Sequence, residues 1–75
     1  MRVNVKLFAT LRKDRLQETE IVNLPSGATV RDLLQKLMIG VSDVGTLVIN
    51  TKNATFDQVL LDDDNVTIIP PIGGG

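Results

Sequence analysis

The chain has no cysteine and no histidine. Those two absences remove disulfides, thiolate nucleophiles, the usual zinc ligands and the commonest general base. Stability must therefore come from packing, and no metal site is expected. Aromatic residues are almost as scarce, with tryptophan and tyrosine missing and only Phe8 and Phe56 present. Without a base-stacking platform, and with a net charge of −1 from eight basic and nine acidic residues, nucleic acid is not an expected partner. No apolar run reaches the roughly 18 residues of a membrane span. The N-terminal residues alternate instead of forming a charged head and an apolar stretch. The chain reads as cytoplasmic, without a membrane partner.

What is present is an ordinary globular composition. Of 75 residues, 43% are hydrophobic and 23% charged, too apolar for a disordered chain. The length allows one small domain, near the size where only about 60% of the unfolded surface is buried. Residues 1–69 read as that domain and residues 70–75 as a flexible C-terminal tail.

Residues 2–8, "RVNVKLF", alternate strictly, with Val3, Val5 and Leu7 on one face and Arg2, Asn4, Lys6 and Phe8 on the other. That is the period of a half-buried strand. A basic loop with Arg12, Lys13 and Arg15 follows, and "ETEIVNL" at 18–24 resumes a strand pattern until Pro25-Ser26-Gly27 breaks it. Thr29 and Asp32 then have the spacing of a helix start, the hydroxyl accepting from the Asp32 amide and the carboxylate favouring the positive end of the helix dipole. Val30, Leu33, Leu34, Leu37 and Met38 form one apolar stripe. The stripe reads as core, with Met38 as gap-filler and Gly40 as terminator.

"TLVIN" at 46–50 reads as a third strand, "TKN" as a turn and "ATF" at 54–56 as a brief fourth strand. "DQVLLDDDN" reads as a turn-rich connection whose Asp62-Asp63-Asp64 run is a solvated loop. "VTII" at 66–69 is the last strand, closed by Pro70 and Pro71, which cannot donate to a ladder. Strand, strand, helix and two or three further strands predict an α+β roll with one helix covering one face of a sheet.

The chain then ends "IIPPIGGG". This plan, with "VKLFATLR" at the start, "VIN" in the third strand, "DDDNVTIIPP" before the end and Pro70-Pro71-Ile72-Gly73-Gly74-Gly75 to close, resembles the MoaD/ThiS family of ubiquitin-like sulfur carriers. The molybdopterin synthase small-subunit branch, whose tail is Pro-Pro-x-x-Gly-Gly, is the nearer match. The resemblance implies a β-grasp fold with a mixed four- to five-stranded sheet. It implies a protein that is not itself a catalyst, a monomer alone and a heteromer in complex. A ubiquitin-activating-type adenylating enzyme would activate the Gly75 carboxylate, a sulfur donor would convert it to a thiocarboxylate, and the molybdopterin synthase catalytic subunit, or a thiazole synthase, would accept the loaded tail.

The chemistry suits the residues. A carboxylate is a poor electrophile until its oxygen becomes a leaving group, here by attack on the α-phosphate of ATP. The terminal glycines lack the flanking elements and lysine of a phosphate loop, so ATP must be supplied by the activating enzyme. Gly73, Gly74 and Gly75 add no side-chain width to a segment that threads partner active sites and accept any backbone turn. The six residues from Pro70 through Ile72 to Gly75 reach roughly 20 Å when extended. Pro70 and Pro71 restrict the root of that reach and lower the entropy lost on insertion.

Phe8 and Ile69 have outward parity, at the ends of strands that neighbour each other in a β-grasp. An exposed apolar pair beside the tail reads as a partner-docking patch. Other readings stay open: a carrier for thiamine thiazole or another sulfur-transfer pathway, a ubiquitin-like modifier joined to lysines, and an interaction domain with an inert tail.

Overall fold

The computed structural model describes residues 1–8 and 19–71. The basic loop residues Arg12, Lys13 and Arg15 lie outside the described residues, as do Ile72, Gly73, Gly74 and Gly75.

Among the described residues, five strands and one α-helix follow in the order β1 (Arg2–Leu7), β2 (Thr19–Asn23), α1 (Val30–Lys36), β3 (Thr46–Ile49), β4 (Lys52–Asn53) and β5 (Asn65–Ile69). They form one sheet in the order β2-β1-β5-β3-β4. The central pair β1 and β5 is parallel, and every other pairing is antiparallel. This is the expected β-grasp: the two ends of the sequence meet at the centre of the sheet while α1 covers one face.

The alternation in β1 carries directly into packing. Val3 and Val5 have no exposed surface and Leu7 almost none, and Val66 and Ile68 of β5 are buried beside them. With Val30, Leu33 and Leu34 of α1 they belong to a single apolar core that also takes Val22, Leu47, Ile49 and Leu60. Each fully buried side chain of this size stabilises the fold by about 1.5–3 kcal/mol. The less regular β2 resolves with Val22 buried and Ile21 more than half exposed.

At seven residues α1 is too short to stand alone, and both its ends are built with care. Thr29 is the N-cap in a capping box: its hydroxyl accepts from the Asp32 amide (3.3 Å) while the Asp32 carboxylate accepts from the Thr29 amide (2.9 Å). The amides of Val30 and Arg31 donate to the carbonyls of Gln58 and Phe56, so the 56–60 segment satisfies donors the helix leaves free.

The C-terminal end departs from expectation. The helix stops at Lys36, with Leu37 as cap, and Met38 adopts φ 61°. The Met38 amide donates to the Gln35 carbonyl and the Ile39 amide to the Leu34 carbonyl, the two bonds of a Schellman closure. Met38 therefore holds the left-handed position usually given to glycine. Its side chain is 84% exposed and not core, and Ile39 enters the core in its place. Gly40 does not terminate α1 but precedes a 3₁₀ turn at Val41–Asp43.

Two further expectations are corrected. The fourth strand is Lys52–Asn53 rather than 54–56, because the chain reverses earlier, at Asn50 (φ 61°) and Thr51 (φ 151°), which brings Lys52 opposite Ile49. The segment before β5 is not merely a solvated connection: Leu60 is buried in the core, Val59 bridges to Thr29, and Asp64 is only 7% exposed.

Candidate functional site

The site begins where β5 ends. Register pairs Leu7 with Ile68 across the parallel β1–β5 contact and Thr46 with Ile69 across the antiparallel β3–β5 contact. The Phe8 amide donates to the Ile68 carbonyl (3.3 Å) and the Gly45 amide to the Ile69 carbonyl (2.7 Å). Beyond these, Pro70 and Pro71 have no N–H to offer, so the ladder stops and the chain leaves the sheet from its centre. Pro70 is half-buried and Pro71 exposed.

One step further along the same register sets Phe8 beside Ile69 on the face away from α1. Their outward parity is as expected, but neither is fully exposed: both are half-buried. Ile69 lies between strands on either side, and the Lys6 ammonium sits 5.1 Å from the centre of the Phe8 ring, a distance at which a cation is attracted to the ring face. The pair therefore presents partial apolar surface with a positive charge over one edge. Among the described residues, the most exposed large apolar side chains lie elsewhere, at Met38, Leu61 and Ile21.

Gly45 is a feature the sequence reading missed. A Cβ placed on it would lie 2.6 Å from Pro71 Cα, 2.7 Å from the Pro70 carbonyl oxygen and 2.7 Å from Pro71 N. The start of the tail thus lies flat against the glycine that opens β3. A glycine just ahead of an apolar strand was the available signal, but the partner that demands it is distant in sequence.

At its opposite end, β5 is entered through a side-chain network. Asp64 Oδ1 accepts from Asn50 Nδ2 (2.9 Å) and its Oδ2 from the Leu61 amide (2.8 Å), while Asn50 Oδ1 accepts from the Asn65 amide (3.0 Å). Asp62 accepts from the Arg2 amide (2.7 Å), and the Asp63 amide donates to the Arg2 carbonyl. The acidic run is therefore structural: it ties β5 to β1 and to the β3–β4 turn. Among the described residues no group of acidic side chains is arranged to hold a metal ion, and no helix is long and apolar enough to cross a membrane.

Residues 5–75 match the model of the ThiS family. The chain belongs to the ThiS family. No curated protein sequence matches it significantly, whereas solved structures do. It is similar to a putative molybdopterin converting factor subunit 1 from Pyrococcus furiosus, with 29% identity over 95% of this chain and 98% of that one and a TM-score of 0.77. It is also similar to small archaeal modifier protein 1 from Methanosarcina acetivorans, with 26% identity over 99% and 96% and a TM-score of 0.75. A complex of subunits 1 and 2 of the molybdopterin-converting factor from Helicobacter pylori shares the fold, at 22% identity over the whole of both chains and a TM-score of 0.62. As a ThiS-family protein the chain is a small ubiquitin-like β-grasp of the MoaD/ThiS kind.

Proposed function

We propose that the protein is a sulfur carrier whose Gly75 carboxylate is adenylated, converted to a thiocarboxylate and used to donate sulfur in molybdopterin biosynthesis. The observation that carries this reading is the exit of the chain: the central strand of a ThiS-family fold ends in Pro70-Pro71, followed by Ile72 and three glycines. The likeness to a putative molybdopterin converting factor subunit supports the pathway.

In the first step a carboxylate oxygen attacks the α-phosphorus of ATP and pyrophosphate leaves. In the second a sulfur nucleophile attacks the acyl carbon and AMP leaves. ATP comes with a ubiquitin-activating-type enzyme, and the loaded tail then enters the molybdopterin synthase catalytic subunit. Phe8 and Ile69 serve as docking contacts beside the tail, while residues 72–75 supply a slender reach. The chain contributes no acid, base or metal to either step.

The test is intact mass after incubation with the cognate activating enzyme, ATP and a sulfide source. The expected result is a species shifted by one oxygen-to-sulfur exchange at Gly75, competent to load sulfur onto a pterin precursor when the synthase subunit is added. A second reading, favoured by the likeness to a small archaeal modifier protein, has the same acyl adenylate passed to lysines. Isopeptide conjugates through Gly75 in cell extract, without sulfur delivery to a pterin, would select it. A loaded tail discharged only by a thiazole synthase would move the carrier to the thiamine pathway.

A further inference from the structure

We propose that Gly45 is a positioning residue for the reactive end of the chain, setting the direction in which the tail leaves the sheet; the inference rests on the carrier reading of Gly75. Two common reasons for a glycine are absent here. Gly45 is exposed, so no crowded core demands it. Its φ also lies outside the left-handed region, since Gly27 alone among the described glycines has positive φ. What remains is the close approach of the stem. A Cβ at this position would meet three atoms of Pro70 and Pro71 at 2.6–2.7 Å, all of them backbone, so no flexible side chain can swing aside to make room.

The surroundings turn this local fit into a directional one. Immediately before the contact, the Gly45 amide holds the Ile69 carbonyl at 2.7 Å and fixes the last residue of β5. Immediately after it come two prolines, each with φ locked near −65°. A methyl group on residue 45 therefore pushes on a stem that is fastened at its base and stiff beyond it. The push changes the direction of the stem at its root, where the φ angles of Pro70 and Pro71 cannot relax to absorb it. A misplacement of about 1 Å can cost about 100-fold in a reaction that depends on alignment, and the carboxylate lies four residues past Pro71.

The experiment is steady-state ATP–pyrophosphate exchange by the activating enzyme, with the carrier as varied substrate, for the native chain, Gly45→Ala, Pro70→Gly/Pro71→Gly and the triple variant. Gly45→Ala should lower kcat by about 10- to 100-fold with KM for the carrier nearly unchanged, because the body still docks. The glycine stem should lower kcat as well, and on that stem Gly45→Ala should add little, since a flexible stem transmits no direction. In the native protein a nuclear Overhauser contact between Gly45 Hα and Pro71 Hα should be present. An undiminished kcat for Gly45→Ala with an active native chain would overturn the positioning role and leave the carrier reading standing. An inactive native chain would overturn both. If Gly45→Ala does not fold, a missing Overhauser contact, or a glycine stem as active as the native one, would still overturn the proposal.

Discussion

The two ends of β5 are held by different physics. Where the chain enters the strand, Asp64 and Asn50 exchange side-chain hydrogen bonds with each other and with the Leu61 and Asn65 amides, and Asp62 takes the Arg2 amide. Where it leaves, the described residues show backbone bonds from Phe8 and Gly45, followed by prolines that donate nothing and that pack against the space Gly45 leaves without a side chain. Hydrogen bonds to a buried carboxylate resist displacement, since breaking them strands donors away from water. A fit by shape sets direction without such a cost. On the proposed carrier function, a tail that enters two active sites in turn needs the second arrangement, and a central strand that must not slip needs the first.

The largest effect is expected from breaking the polar end. Asp64→Ala leaves the Leu61 amide and the Asn50 side chain without their acceptor, which should cost about 2–3 kcal/mol. In a domain of this size that lowers Tm by roughly 10–20 °C. Adenylation measured well below the transition should be unchanged, because nothing at the exit has moved. Chemical denaturation and exchange assays on the same sample check both halves. A loss of kcat in the folded variant would show that the two ends are coupled and that their separation is wrong.

A smaller stability effect with a functional consequence is expected at the other end. Ile69→Asp removes a half-buried side chain from the face away from α1, so the fold should lose about 1 kcal/mol. Affinity for the activating enzyme should fall at least about tenfold, or roughly 1.4 kcal/mol. Thermal melting with titration calorimetry separates the two. A collapse of the transition would place Ile69 in the structural core, and unchanged affinity would remove it from the docking surface.

What could be read from the sequence was whatever depends on near neighbours. The alternation of Val3, Val5 and Leu7 and the Thr29–Asp32 box each lie within one strand or one helical turn, and both appear as expected. Met38 misled because it falls on the apolar stripe by spacing alone. The Schellman closure turns it outward, and Ile39, off the helical period, takes the buried place. Three successive aspartates look like a solvated turn until Asn50, far away in sequence, supplies the partner that buries Asp64. Gly45 meets Pro70 and Pro71 only because β3 and β5 are neighbours in the sheet. In each miss the deciding partner, or the way the element ended, lay outside the local pattern. Gly73, Gly74 and Gly75 lie outside the described residues, and the role proposed for them rests on chemistry alone, a carboxylate carried by residues without side chains.

The central claim, that the working group is the carboxylate of Gly75, is tested most directly by adding one alanine after it and measuring ATP–pyrophosphate exchange. The extension turns the Gly75 carboxylate into an amide and carries the new terminus past the point where the α-phosphate is held. The extended chain should fold with an unchanged melting transition and still bind the activating enzyme, yet give no exchange. Exchange at the native rate, with mass spectrometry showing the alanine still in place, would contradict the account.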